Sequence, residues 1–188
     1  MNEREWVTSV VDLLSENLQA EFPSLVVSQG AKLPYAYEIR QYSGQGPEAH
    51  DISAYETDIL IAEVHEDSWK PRVVIEAKLS SVTTHDAITY SEKAATHKNV
   101  HPYLRYGIIL GNRKHYPLPG RLFRHGAYFD FMLSWTAFDP TPKELQYLLD
   151  LASQEVKASQ DLEKILYSSR SPNRERYTFL HRPLLLKD

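Results

Sequence analysis

The sequence predicts an α/β fold: a central mixed sheet flanked by helices, with a long helix near the C-terminus. Three short apolar runs, "ILIA", "VVI" and "IIL", are near-continuous, as in strands that are covered on both faces of a sheet. A helical pattern separates the last two runs, and a crossover through a helix places the strands that it joins in parallel. An amphipathic helix precedes all three runs.

Length and composition predict a soluble protein of one domain, over residues 1–188. The chain is 42% hydrophobic and 24% charged, which is ordinary for a globular protein. Because it contains no cysteine, disulfides, thiolate chemistry and cysteine-based zinc sites are excluded. No apolar run approaches the ~20 residues of a membrane span, and the start "MNEREWVTSV" is not a secretory signal. We therefore expect a cytoplasmic protein with no membrane partner.

Charge is distributed unevenly along the chain. The net charge of −4 argues against a simple nucleic-acid-binding protein. Residues 1–99 carry 8 Lys and Arg against 16 Asp and Glu, whereas residues 100–188 carry 13 against 9. An acidic half beside a basic half suits a metal site next to an anion-binding surface, and it also suits chance.

The order of elements in the first half follows from periodicity and from breaking residues. The first helix carries apolar residues at spacings of three and four and ends before Pro23. A Gly- and Pro-rich polar stretch predicts a loop before the strand that contains "ILIA". The elements predicted up to residue 72 are, in order, a helix over 3–20, extended segments over 25–29 and 35–42, a loop over 43–51, a strand over 55–64 and a turn over 68–72.

The second half begins with the strand that opens at Val73. Thr84 is the expected N-cap of the next helix, and a capping box from Thr141 to Glu144, with Pro142 in the first turn, opens the long C-terminal helix. The elements predicted after residue 72 are, in order, a strand over 73–79, a helix over 84–98, a strand over 103–110, a basic loop over 111–126, a strand over 128–135, a helix over 141–167 and a tail over 168–188.

The stretch "RVVIEAKLSS", residues 72–81, sets a carboxylate and an ammonium inside an apolar strand. Successive side chains of a strand point to opposite faces, so Glu76 and Lys78 share a face and lie roughly 7 Å apart at their Cα atoms. Taken alone, such a pair is most often an ion pair at a sheet edge. Charged side chains are rarely buried unless they are paired or bind an ion.

Asp58 leads into the preceding strand, and a short connection favours pairing of the two strands. Asp58 is then expected beside Glu76 and Lys78. Two carboxylates suit Mg²⁺ or Mn²⁺ and leave positions open for water and a phosphate oxygen. A lysine at that point can orient, or deprotonate, an attacking water and counter the charge that grows on the phosphoryl group.

Asp58 followed by Glu76-Ala77-Lys78 resembles the motif of the PD-(D/E)XK nuclease superfamily, which has the restriction-endonuclease-like fold. The resemblance covers the core, about residues 3–111, where helices and strands also follow the family's order. It implies that Asp58 and Glu76 bind the divalent metal with the carbonyl of Ala77, and that Lys78 acts on the water. The motif's proline is absent, since Thr57 precedes Asp58. The family often adds an acid from its first helix; Glu3, Glu5, Glu16 and Glu21 are the candidates, and helical phase favours Glu3 and Glu21.

Two further groups of residues are candidates for nucleic-acid contact. Tyr90, Lys93 and His97 share one face of the helix after the E-x-K strand, where they either meet a phosphate backbone or are solvated. The loop "GNRKHYPLPGRLFRHG" interleaves basic residues with Tyr116 and Phe123 and has no acid, which suits contact with DNA as well as an ordinary surface loop. Its Lys and Arg residues are Arg113, Lys114, Arg121 and Arg124.

The C-terminal helix has an apolar stripe that is expected to pack on its own domain first and to serve a homodimer second. The stripe consists of Leu145, Leu149, Ala152, Val156, Leu162 and Leu166. The basic and then apolar tail could clamp DNA, reach a partner subunit or fray.

The sequence thus predicts a metal-dependent DNA endonuclease, with restriction, repair and phage defence all compatible. A dimer with two sites would cut both strands, whereas a monomer would nick one. Two alternatives stay open, a nucleic-acid-binding or assembly module without catalysis and a nuclease acting on RNA.

Overall fold

A five-stranded mixed sheet with helices on both faces forms the centre of the described residues. The structure is a computed structural model, and the residues that it describes are 1–115, 117–168, 179, 180 and 184. Tyr116 and most of the predicted tail lie outside them. The elements are, in order, α1 (Glu3–Glu21), β1 (Leu25–Gln29), β2 (Lys32–Ser43), β3 (Gly46–Glu56), β4 (Ile59–His65), β5 (Ser68–Leu79), α2 (Thr84–Val100), β6 (Arg105–Gly111), α3 (Gly120–His125), β7 (Phe131–Ser134) and α4 (Pro142–Tyr167).

The strand order of the sheet is β1-β4-β5-β6-β7. β1, β4 and β5 pair antiparallel, whereas β5, β6 and β7 pair parallel. The parallel pairing of β5 with β6 is the one predicted from the helical crossover, here α2. The predicted α/β class with a mixed sheet, flanking helices and a long C-terminal helix is therefore confirmed.

The two faces of β5 divide the core as alternation predicts. Val73, Ile75 and Ala77 are fully buried in a cluster with residues of α1 and α4. Val74 is fully buried in a second cluster, on the face covered by α2 and α3. Because Glu76 alternates with Ile75 and Ala77, its side chain lies on the face covered by α2, between that helix and the sheet.

The loop predicted over 43–51 is wrong for most of its length. Only Gly44 and Gln45 form the turn between β2 and β3, and β3 begins at Gly46, where φ is 120°. The two strands form a separate hairpin. Its residues near the turn are exposed on both faces, so no apolar alternation distinguishes them from a loop. The strand predicted over 55–64 is in fact the end of β3 and the start of β4, separated at Thr57 and Asp58.

Other boundaries shift by a few residues for local reasons. The turn predicted over 68–72 belongs to β5, and the chain turns instead at Glu66, whose φ is 50°. Thr83 rather than Thr84 is the N-cap of α2, because its hydroxyl accepts from the N–H of Asp86. The loop predicted over 111–126 contains the short helix α3.

Helix α4 buries a stripe slightly out of phase with the predicted one. Ala152 and Val156 are buried as predicted, and Leu148 is buried beside them, but Leu166 is 48% exposed. The other large apolar side chains of its last turn are exposed as well, Ile165 at 50% and Tyr167 at 64%. Among the helices of the described residues, none is long and apolar enough to cross a membrane.

Candidate active site

Strand pairing brings Asp58 to the E-x-K segment. Ile59 of β4 pairs with Ile75 of β5, so the residue before Ile59 lies across from Glu76. Asp58 Oδ2 accepts a hydrogen bond from the backbone N–H of Ala77, with 2.8 Å between the two atoms. The half-buried acid and the E-x-K segment therefore meet at one end of two neighbouring strands.

Thr57, the residue before Asp58, makes two hydrogen bonds that a proline at this position could not make. Its side chain is fully buried, and both its N–H and its hydroxyl donate to the carbonyl of Ala31 at 2.9 Å. A proline could make neither bond, because it has no backbone N–H and no hydroxyl. The two bonds fix the chain between β3 and β4, and so they fix the start of the strand that Asp58 precedes.

Glu76 is buried, with 1% of its surface exposed, and its two oxygens differ. Oε1 accepts from the hydroxyl of Tyr106 on β6 and pairs with Lys93 Nζ on α2 at 2.7 Å. Oε2 is buried and has no hydrogen-bond partner among the described residues. A buried carboxylate oxygen without a partner is costly, so this atom is the one that suits a bound cation.

The surroundings of Glu76 also change its acidity. Burial, with a further contribution from the negative charge of Asp58, raises the pKa of Glu76 to about 7, although Lys93 and the Tyr106 hydroxyl act in the opposite direction. Burial together with Glu76 raises the pKa of Tyr106, so its hydroxyl stays a donor. Near neutral pH, Glu76 is thus poised between its protonated and ionised forms.

Lys78 lies on the same face of β5 and is more exposed. Its Nζ is 3.0 Å from Glu3 Oε1 and 5.4 Å from the centre of the Tyr90 ring. Burial acts to lower the pKa of Lys78, but hydrogen bonds with Tyr90 and Glu3 raise it above its ordinary value. Lys78 is therefore an ammonium, which can donate to a water or a phosphate oxygen but cannot take up a proton.

Glu3 is the first-helix acid that reaches this site. In addition to its contact with Lys78, it accepts from the backbone N–H of Leu79 at 3.2 Å. Glu5 is used in the capping box of α1, and Glu21 pairs with Lys157 of α4. Helical phase alone favours Glu3 and Glu21 equally, and only the packing of α1 against the end of β5 distinguishes them.

The three α2 residues predicted to meet a phosphate backbone have different positions. Tyr90 lies between the two lysines, each 5.4 Å from its ring centre. Lys93 is turned inward to Glu76 and to the carbonyl of Glu56, at 3.1 Å. His97 is fully buried, with Nδ1 3.0 Å from the carbonyl oxygen of Pro34. The prediction for His97 is therefore corrected, because its imidazole faces the core instead of a surface.

The basic segment 111–126 starts at the same edge of the sheet as Lys78, because β5 and β6 run parallel and Lys78 pairs with Leu110. Arg113 donates to the carbonyls of His115 and Pro117, which hold its guanidinium against the segment. Arg121 is exposed and donates to the carbonyl of Val82, shortly after β5, at 3.0 Å. Lys114 and Arg124 are exposed.

A cleft of about 570 Å³ opens beside Asp58. Its lining includes Glu3 and Asp58 with Arg4 and Gln29. Within the described part of the chain, no group of three or more His, Asp or Glu side chains is close enough together to hold a metal ion. The two carboxylates that strand pairing brings together, those of Asp58 and Glu76, could hold a cation, and the unpartnered Oε2 of Glu76 suits one best.

No protein-family model matches this sequence, and no curated protein is significantly similar to it.

Proposed function

We propose that this protein is a metal-dependent DNA endonuclease of the PD-(D/E)XK superfamily, with a restriction-endonuclease-like core and Asp58, Glu76 and Lys78 as its catalytic residues. The observation that supports this most is the hydrogen bond from Ala77 N–H to Asp58. It joins the separate acid of the motif to the middle of the E-x-K segment, as a shared site requires. The parallel pairing of β5 with β6 brings the basic segment 111–126 to the same edge of the sheet as Lys78.

Asp58 and Glu76 would hold Mg²⁺ or Mn²⁺, with the carbonyl of Ala77 as a further ligand. The unpartnered Glu76 Oε2 supports this assignment, since hard divalent cations prefer carboxylate oxygens. When bound, the ion polarises the phosphate and lowers the pKa of its water.

Lys78 supplies a fixed positive charge in the same site. Its ammonium donates to the attacking water and to the phosphoryl oxygens, where negative charge increases during in-line displacement. Glu3 keeps the ammonium in place through its contact at 3.0 Å. Because Lys78 stays protonated, its role in this proposal is to orient the water and to stabilise charge, and a water whose pKa the bound ion lowers would release its proton to solvent.

The exposed cations of segment 111–126 would bind the phosphate backbone of DNA. Arg121 is placed best for this, since its contact with Val82 holds it near the end of β5. Lys114 and Arg124 extend the positive charge along the same segment. Phosphate contacts of this kind position a substrate without reading its sequence.

The proposal is tested with Glu76→Gln, which keeps the size of the side chain but removes its charge. We expect the variant to lose Mn²⁺ binding in calorimetry and cleavage of labelled DNA, with circular dichroism unchanged. Glu16→Gln, an exposed site on α1, is the control. Assays on DNA and RNA in parallel establish which of the two polymers is the substrate. Nucleic-acid binding by the wild type without cleavage in any metal would instead support the non-catalytic module.

A further inference from the structure

A second concave surface lies between the end of β3 and α2. We call it the base groove; it measures about 310 Å³ and is lined by Tyr55, Ile88, Thr89, Glu92 and Lys93. Tyr55 is 38% exposed and Ile88 is 49% exposed. An exposed aromatic ring and an exposed apolar side chain thus border the same small space, with a carboxylate and an ammonium beside them.

Tyr55 is held rigidly. Its ring stacks on that of Tyr35, with ring centres 3.8 Å apart and an angle of 10° between the planes. The buried ring of His97 meets both tyrosines edge-on, at 5.8 Å from Tyr55 and 6.4 Å from Tyr35. An aromatic side chain that is fixed in this way loses little conformational freedom when a flat ligand contacts it.

The base groove adjoins the proposed catalytic residues through Lys93. Lys93 Nζ is 5.8 Å from the centre of the Tyr55 ring, 2.7 Å from Glu76 Oε1 and 3.1 Å from the carbonyl oxygen of Glu56. A ligand in the groove is therefore one side chain away from a catalytic carboxylate. The spacing suits a nucleotide whose phosphate lies at the catalytic residues and whose base lies in the groove.

We propose that the base groove binds one unpaired nucleobase of the substrate, next to the phosphate that is cut. This inference rests on the proposed nuclease function and adds a substrate class to it, DNA with unpaired nucleotides. A space near the lower end of the ~300–1,000 Å³ range of ligand sites admits a base but no stacked base pairs. The side of the Tyr55 ring away from Tyr35 and the side chain of Ile88 contact the base, while the exposed Glu92 supplies an acceptor for its edge.

The test measures binding of fluorescein-labelled oligodeoxythymidylate, single-stranded or annealed to oligodeoxyadenylate, by fluorescence anisotropy in EDTA and in Ca²⁺. Base stacking on an aromatic residue contributes about 1–3 kcal/mol, so Tyr55→Ala is expected to weaken single-strand binding about 5- to 150-fold. Tyr55→Phe keeps the ring and should bind within about twofold of wild type. Tyr42→Ala, which removes a 72% exposed tyrosine elsewhere on the hairpin, is the matched control.

A second variant distinguishes loss of base binding from unfolding caused by the change at Tyr55. Ile88→Glu changes an exposed helix position and places a negative charge in the groove, and it should weaken single-strand binding as Tyr55→Ala does. Equal single-strand binding by wild type and both groove variants would overturn the proposal, as would a wild type that binds only duplex. A wild type that binds single strands through the groove but cuts nothing would overturn the nuclease function alone.

Discussion

The carboxylate of Asp58 accepts a hydrogen bond from the backbone N–H of Ala77, with 2.8 Å between Oδ2 and N. This bond connects the residue before β4 to the residue between Glu76 and Lys78. It makes the position of the acid depend on the E-x-K strand itself and not on a loop. A carboxylate held in this way keeps its second oxygen in a constant direction, which a metal ligand needs.

Asp58→Asn is predicted to lose cleavage while the fold persists. The amide oxygen can still accept from Ala77 N–H, but the negative charge that would bind the metal is gone. Loss of outer-shell partners at metal sites typically costs ~10–100-fold in activity, and loss of a ligand should cost at least that. Initial cleavage rates at saturating Mg²⁺ measure the effect. Asp12→Asn, an exposed change on α1, should cut like wild type, and full activity of Asp58→Asn would remove Asp58 from the site.

Glu3→Gln is predicted to reduce activity more than stability. Glu3 contacts Lys78 Nζ and the backbone N–H of Leu79, and the amide weakens its hold on the ammonium. We expect kcat to fall about tenfold, the lower end of the range for outer-shell partners, with little change in melting temperature. Glu5→Gln on the same helix is the comparison, since Glu5 belongs to the capping box of α1 and not to the site. Equal kcat values for the two variants would contradict a role of Glu3 in positioning Lys78.

His97 is predicted to make the fold sensitive to acid. Burial lowers the pKa of His97 from 6.5 to about 4, so the unfolded chain takes up a proton in this interval and the folded chain does not. Stability from this group is therefore present above about pH 6.5 and lost towards about pH 4, by about 3 kcal/mol in total. Glu76 acts in the opposite direction, because its pKa is raised, so a difference between variants isolates His97.

Urea unfolding of wild type and His97→Gln at several pH values between about 4 and 7 measures this difference. The variant lacks the titrating ring, so its free energy of unfolding should fall less with acid than that of the wild type. Parallel curves for the two proteins would show that His97 takes up its proton in the folded chain as readily as in the unfolded chain, which contradicts the lowered pKa.

Parts of the fold and of the site follow from local sequence, and parts depend on packing. The two faces of β5 are predictable because alternation needs only the spacing of Val73, Ile75 and Ala77. The pairing of Asp58 with the E-x-K segment is predictable because a short connection joins the strands. The start of β3, within the loop predicted over 43–51, is not, since the exposed residues near the hairpin turn carry no apolar pattern.

The partners of Glu76 are the least predictable part of the site. Tyr106 lies 30 residues away, and its contact depends on the parallel register of β5 and β6. Lys93 shares a helix face with Tyr90, which suggested an outward role, but the approach of α2 to the sheet turns its ammonium to Glu76. One signal was present: a buried carboxylate needs a partner, and a lysine on the adjacent crossover helix is a natural one.

The most direct test of the nuclease assignment is cleavage of two circular substrates, supercoiled plasmid and single-stranded circular DNA, with Mg²⁺, Mn²⁺ or EDTA, by wild type and Lys78→Ala. We predict metal-dependent cutting by the wild type that is lost in Lys78→Ala, while calorimetry shows that the variant still binds Mn²⁺ through Asp58 and Glu76. Cutting by Lys78→Ala at the wild-type rate, or no cutting of either circle by the wild type in any metal, would contradict the assignment.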